Sequence, residues 1–148
     1  MIENPGQTAR KNAVRDLILG VVFFILLSMV LFGVVFGIPL TGTPKLNKVN
    51  TATVSFDGKT VEVTPEGMQI AVDLAGGLKR WVGECDQTMP KAVITYQMKD
   101  GTEVVVGADK DTIYKDGKYY APKGTNGELF QNVVEGIFFG ESVKKDDR

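Results

Sequence analysis

The sequence of 148 residues contains no histidine and a single cysteine, Cys85. One cysteine cannot form a disulfide within the chain, and it cannot supply the several Cys and His ligands of an ordinary zinc site. The lack of histidine excludes Ser-His and Cys-His nucleophile pairs. Carboxylate pairs are the remaining acid–base candidates, but Asp109 with Asp111 and Glu84 with Asp86 lie in polar segments typical of solvated turns. We therefore predict no catalytic residue, no metal site and no cofactor, and expect a protein that is not an enzyme.

Charge is absent from the stretch between Asp16 and Lys45. Within it, residues 17–40 are apolar except for Ser28, and as a helix they would extend about 36 Å, enough to cross a hydrocarbon core of about 30 Å. A helix that is apolar on every face is unsuited to the core of so small a domain. The run is too long for a cleavable signal peptide, and no small-residue cleavage site follows it. We predict a single-pass transmembrane helix over 17–40 that acts as an uncleaved signal anchor, after a short cytoplasmic tail, 1–16.

Basic residues near the predicted span indicate its orientation. Arg10, Lys11 and Arg15 precede it, whereas Lys45 and Lys48 follow it. By the positive-inside rule this bias favours a cytoplasmic N-terminus and an extracytoplasmic C-terminal domain at the cell membrane. The net charge of −1 and the lack of a basic block argue against nucleic acid as a partner.

Two glycines in the predicted span, Gly33 and Gly37, form a G-x-x-x-G pattern. Such a pair leaves a flat groove on a membrane helix, where a second helix can approach closely. It predicts helix packing in a homodimer or against a larger membrane protein. The alternative is chance spacing, because glycine is common in membrane helices.

Three Asp-Gly pairs punctuate the rest of the chain, each between runs in which apolar and polar residues alternate. Asp-Gly favours the positive φ angles of a type I′ hairpin turn, and alternation is typical of a sheet with one buried face. We predict one hairpin around each pair: Asp57-Gly58, joining 51–56 to 59–63; Asp100-Gly101, joining 92–99 to 102–106; and Asp116-Gly117, joining 112–115 to 118–121.

Two helices are predicted to cover the buried face of this sheet. The first begins with the capping signal Thr64-Pro65-Glu66 and continues with apolar residues at helical spacing from Met68 to Val82. The second begins near Thr125 or Asn126. The fold class is therefore α+β: a transmembrane helix, then a two-layer domain of antiparallel hairpins in the order ββαββββα, with two helices on one face. We place a linker at 41–50, the domain at 51–140 and a charged tail at 141–148.

Aromatic residues around the third hairpin are the candidate interface of this domain. Tyr114, Tyr119 and Tyr120 flank its turn, and Trp81 lies at the predicted end of the first helix. Aromatic side chains are common binding anchors, and they are also favoured in strands for packing alone. The spacing leaves both interpretations open.

The run from Thr53 to Val63, the helix start at Thr64-Pro65-Glu66 and a polar loop ending at Pro90 resemble a family of small membrane-anchored extracytoplasmic domains from Gram-positive bacteria. The pattern continues with Ile94–Asp100, Lys118-Tyr119-Tyr120 and Glu128-Leu129-Phe130 and covers about 90 residues. The resemblance implies the fold and the location. That family has no assigned activity, so it transfers no functional residue.

These features predict a non-catalytic, protein-binding extracytoplasmic domain on a single-pass anchor, as an accessory or regulatory subunit of a membrane or envelope complex. Its partners would be the bilayer and another membrane or envelope protein, or a second copy of the chain. The alternative is a structural subunit of a pilin-like or filament assembly, which would also join an apolar helix to a sheet.

Overall fold

The computed structural model describes residues 4–140, which fall into two compact units that divide after Phe36. The predicted charged tail, 141–148, lies outside the described residues. The first unit is one helix, α1 (Pro5–Phe36), which is long and apolar enough to cross a membrane. Proline suits its first position because its fixed φ angle matches a helix and the N–H that it lacks would have no partner in the helix.

The boundaries of α1 differ from the predicted span of 17–40. The helix begins within the segment that was predicted as an N-terminal tail, and it ends at Phe36 because Gly37 adopts a φ of +77°. A Cβ at Gly37 would lie 2.9 Å from Cγ of Lys123, so glycine also provides space there. The next two residues form β1 (Ile38–Pro39), a strand rather than the end of the helix.

The second unit is an antiparallel sheet of eight strands with two further helices, and the α+β class is confirmed. The sheet order is β1-β4-β8-β7-β6-β5-β2-β3. A short 3-10 turn at Leu46–Lys48 lies in the predicted linker, and α3 continues as a π-helical turn over Glu135–Phe139. The remaining elements are β2 (Val49–Phe56), β3 (Lys59–Glu62), α2 (Met68–Gly76), β4 (Lys79–Trp81), β5 (Ala92–Met98), β6 (Glu103–Ala108), β7 (Ile113–Lys115), β8 (Lys118–Pro122) and α3 (Asn126–Val134).

All three Asp-Gly pairs lie in hairpin loops, but the loops are of two kinds. Asp57-Gly58 and Asp116-Gly117 have positive φ at both residues, as a type I′ turn requires. At Asp100-Gly101 the φ angle is positive at the glycine alone, and the loop is longer. There the Asp100 carboxylate accepts hydrogen bonds from the backbone N–H and the hydroxyl of Thr102, at 2.9 and 2.6 Å.

The prediction that one helix continues to Val82 is wrong. Helix α2 ends at Gly76, and the next residues turn into strand β4, which pairs with β8 on one side and β1 on the other. The side chain of Asn126 fixes this turn, because it accepts a hydrogen bond from the Lys79 N–H at 2.7 Å and donates one to the Gly77 carbonyl at 3.1 Å. The order after α1 is therefore βββαβββββα, with β1 and β4 as strands absent from the predicted order.

Both helices pack on one face of the sheet, as predicted. Val54, Ile94 and Val106 are cross-strand neighbours on this core face and are fully buried, together with Phe130 of α3. The buried hydroxyl of Tyr96 donates a hydrogen bond to the Ala71 carbonyl of α2. The opposite side of the sheet, the outer face, carries neither α2 nor α3.

Candidate functional site

The outer face divides into a polar half and an aromatic half. Thr53, Thr95 and Val105 are cross-strand neighbours in the polar half, on β2, β5 and β6. Other polar side chains of this half form hydrogen bonds with each other. For example, the Gln97 amide donates a hydrogen bond to the Glu103 carboxylate at 2.6 Å. These contacts satisfy polar groups at a water-exposed surface.

The aromatic half contains three of the four predicted interface residues. Tyr114 and Tyr119 are direct cross-strand partners, and their ring centroids lie 5.2 Å apart in an edge-to-face arrangement. Trp81 pairs with Ala121, two residues after Tyr119 on the same face, and the Lys123 ammonium lies 4.2 Å from the centroid of the Trp81 ring. We call Trp81, Tyr114 and Tyr119 the aromatic patch. Each side chain is half-buried, so the patch combines a fixed geometry with exposed ring surface.

The fourth predicted residue, Tyr120, lies on the opposite side of the sheet. It pairs with the buried Ile113, so its side chain projects to the core face. The Arg80 guanidinium stacks over its ring at 4.9 Å from the centroid. The single aromatic cluster expected from the sequence is therefore two separate surfaces.

The two glycines of the G-x-x-x-G pattern have different environments. Gly33 lies within α1, and a Cβ placed on it would meet nothing within 4 Å among the described residues. Gly37 follows the helix and is packed against Lys123 and Lys79 of the sheet domain. The pair therefore does not share one helix face, and helix–helix packing remains a prediction for Gly33.

The carboxylate pairs and the cysteine occupy ordinary turn and loop positions. Asp109 Oδ1 accepts hydrogen bonds from the backbone N–H groups of Asp111 and Thr112, at 2.9 and 3.0 Å, and so stabilises the turn before β7. Cys85 is half-buried as a thiol in the loop after β4. Within residues 4–140, no group of three or more Cys, Asp or Glu side chains is placed to hold a metal ion.

Among the described residues of the domain, two ionisable groups have clearly shifted pKa values, and both shifts have structural causes. Burial raises the pKa of the Tyr96 hydroxyl well above its usual range. Hydrogen bonds from Thr102, first from its hydroxyl, lower the pKa of the exposed Asp100 carboxylate.

Two cavities of the sheet domain differ in chemistry. One, of about 290 Å³, is an apolar groove between α2 and α3 with Leu74, Leu129 and Phe130 in its wall. The other, of about 320 Å³, is lined mainly by charged and polar side chains from β4, β7 and β8. The sequence did not predict this second cavity, because it depends on the position of β4.

Comparison of the chain with protein-family models, with curated proteins and with solved structures finds no match in any of the three. The resemblance to small extracytoplasmic domains stays a prediction.

Proposed function

We propose that the protein is a membrane-anchored, non-catalytic accessory or regulatory subunit, whose sheet domain binds another membrane or envelope protein through the aromatic patch. The observation that carries the proposal is the position of Trp81, Tyr114 and Tyr119 on the outer face, which neither helix of the domain covers. Tyrosine and tryptophan are the residues most enriched among binding hot spots, because they combine large apolar rings with a polar group.

The anchor supports this proposal through effective concentration. Helix α1 is long and apolar enough to span a bilayer, and Gly37 alone lies between its end and β1. A partner in the same membrane would meet the domain in two dimensions, so a modest interface would be sufficient. The excess of Arg10, Lys11 and Arg15 before the span supports an extracytoplasmic domain.

The geometry of the patch also supports a protein partner. Its rings are held by strand pairing, so little side-chain entropy is lost on binding. The Lys123 ammonium over Trp81 adds positive charge beside the apolar rings. A complementary surface would present apolar groups and hydrogen-bond acceptors for the tyrosine hydroxyls.

Site-specific photo-crosslinking in native membranes tests this proposal. Benzoylphenylalanine would replace Tyr119 in the patch, and Thr53 in a matched control on the polar half of the same face. We expect a crosslinked partner from position 119 and none from position 53. Equal products at both positions, or no product at position 119, would contradict the assignment of the patch as the interface.

Cysteine labelling tests the orientation. Cys85 is half-buried, so a second variant combines Cys85→Ser with Thr88→Cys, which moves the thiol to an exposed residue of the same loop. A membrane-impermeant maleimide should label both proteins in intact cells. Labelling that requires lysis would place the domain in the cytoplasm and overturn the extracytoplasmic assignment.

The alternative function, a subunit of a pilin-like or filament assembly, gives a different product in the same crosslinking experiment. A filament would produce a ladder of multiples of the chain's own mass of 16.1 kDa. A heterologous partner would produce one product of a new mass. A ladder would therefore replace the accessory-subunit proposal with the filament alternative.

A further inference from the structure

The polar cavity of about 320 Å³ lies on the core-face side of β4, β8 and β7. Its walls come from these strands and from the residues directly after β1. Its lining consists of Leu40, Thr41, Arg80, Lys115, Asp116, Lys118 and Tyr120. We call these residues the cationic pocket.

Positive charge is in excess in the cationic pocket. Its three cations are Arg80, Lys115 and Lys118, and its one carboxylate is Asp116. Asp116 Oδ2 pairs with the Lys115 ammonium at 2.8 Å, and Oδ1 accepts a hydrogen bond from the Val105 N–H at 2.8 Å. Within residues 4–140, Arg80 and Lys118 form no ion pair, so about two positive charges face the pocket uncompensated.

Two of the three cations, Arg80 and Lys115, are held in place. The Arg80 guanidinium stacks on the Tyr120 ring, which fixes its plane and leaves its N–H groups at the edge for an acceptor. The Lys115 side chain is only 17% exposed. Gly42, with a φ of +68°, passes close to this amine, since a Cβ there would lie 3.3 Å from Nζ. A fixed guanidinium with two amines favours a phosphate oxyanion, because all three donate charge-assisted hydrogen bonds.

Chain length limits the distance between Leu40 of this pocket and the end of α1. Leu40 follows Phe36 by four residues, and a chain spans at most about 3.5 Å per residue, so the two Cα atoms are within about 14 Å. The headgroup layer adds roughly 5 to 7 Å on each side of the hydrocarbon core. On the proposed function, in which α1 spans the membrane, the phosphates of lipid headgroups are thus the most concentrated anions within reach.

We propose that the cationic pocket binds the phosphate of an anionic phospholipid headgroup. This inference rests on membrane anchoring by α1, but it does not depend on the protein partner of the aromatic patch. The chemistry it requires is a phosphate ester with net negative charge. A zwitterionic headgroup is disfavoured, because its own ammonium would meet Arg80 and Lys118.

Native mass spectrometry of the detergent-solubilised full chain measures the lipids that it retains. With equal amounts of phosphatidylglycerol and phosphatidylcholine, we expect selective retention of phosphatidylglycerol. Lys118→Gln should weaken that retention about tenfold, because one charge-assisted hydrogen bond is lost. The matched control Lys59→Gln removes the same charge from an exposed residue at the opposite edge of the sheet and should leave retention unchanged.

Three outcomes would overturn the proposal. Equal retention of the two lipids would show no preference for an anionic headgroup. Equal losses in Lys118→Gln and Lys59→Gln would show that net charge, and not the pocket, attracts the lipid. If soluble glycerol 3-phosphate displaces the lipid at equal concentration, the pocket is a site for a soluble phosphate ester and the lipid assignment is wrong.

Separate measurements distinguish this inference from the proposed function. Alkaline carbonate extraction tests whether α1 anchors the protein in the membrane. Release of the protein by this treatment would contradict the proposed function itself. If the protein stays in the membrane but shows no lipid selectivity, only the lipid-binding role of the cationic pocket is contradicted. Tyr119→Ala should leave lipid retention unchanged, because Tyr119 projects to the outer face. The Trp81 fluorescence melt of each variant verifies that the domain is folded.

Discussion

Gly127→Ala should destabilise the sheet domain, because α3 begins in close contact with β6 and β8. A Cβ on Gly127 would overlap the Asp109 carbonyl oxygen and would lie 3.2 Å from Cβ of Pro122. The first contact is with backbone, so the helix has to move. That movement would also strain the hydrogen bonds of Asn126 to the turn between α2 and β4.

The magnitude follows from two opposing terms. Overpacking a well-packed site costs about 1–3 kcal/mol, and a backbone clash belongs at the upper end. Replacing a helical glycine by alanine contributes up to about 1 kcal/mol of stabilisation, and less near a helix start. We expect a net loss of about 2 kcal/mol in the free energy of unfolding. For a domain of roughly 100 residues this lowers the melting temperature by about 10 °C.

Fluorescence of Trp81 is the appropriate assay for the detergent-solubilised full chain. Trp81 is the sole tryptophan and lies in β4, so the apolar helix α1 contributes no tryptophan signal. Gly136→Ala is the matched control: it lies in the π-helical turn after α3, is exposed, and would meet nothing within 4 Å among the described residues. Its melting temperature should equal or slightly exceed that of the parent protein. The reasoning is refuted if Gly127→Ala melts at or above the parent, or if both variants lose stability equally.

Two further predictions concern buried polar groups. Burial raises the pKa of Tyr96, so the neutral hydroxyl stabilises the folded state fully below about pH 10, the ordinary tyrosine value, and stability falls as the pH rises above it. In an absorbance titration at 295 nm, one of the four tyrosines should ionise only as the domain unfolds. Tyr96→Phe should remove this late ionisation step. If the step persists in Tyr96→Phe, its assignment to Tyr96 is wrong. Thr112→Val should lower the free energy of unfolding by about 1–2 kcal/mol in denaturant unfolding, because Thr112 is only 1% exposed and its hydroxyl donates a 2.8 Å hydrogen bond to the Asp86 carbonyl. The control Thr88→Val replaces an exposed threonine in the loop that contains Asp86 and should leave the free energy of unfolding unchanged. Equal losses of stability in the two variants would contradict a role for the Thr112 hydrogen bond.

Local signals were sufficient for the strands joined by Asp-Gly turns and insufficient for β1 and β4. The Asp-Gly turns and the alternation around them predicted three hairpins, because turn geometry and side-chain parity are properties of neighbouring residues. Strands β1 and β4 have two and three residues, and their partners are distant in the sequence, as in the pairing of Arg80 with Pro122. The helical spacing was misleading at Leu78, which is buried in the observed fold as it would be in a longer helix.

The division of the aromatic residues was available from the sequence. A two-residue turn at Asp116-Gly117 fixes Lys115 opposite Lys118, and therefore Tyr114 opposite Tyr119. Tyr120 must then project to the other face, because side chains alternate along a strand. The cationic pocket could not be predicted in this way, since Arg80 reaches it only through the pairing of β4 with β8.

The same alternation makes the two proposals separable. On β8, Tyr119 belongs to the aromatic patch while Lys118 and Tyr120 line the cationic pocket; on β4, Trp81 and Arg80 divide in the same way. A single side-chain substitution on these strands therefore changes only one of the two surfaces. A one-residue change in strand register would instead move the side chains of each surface to the opposite face. Loss of partner crosslinking and of lipid retention together, from a single side-chain variant, would indicate unfolding of these strands and not the loss of either site. The fluorescence melt distinguishes unfolding of the strands from loss of one site. When one surface is altered, unchanged binding at the other surface shows that the sheet is intact.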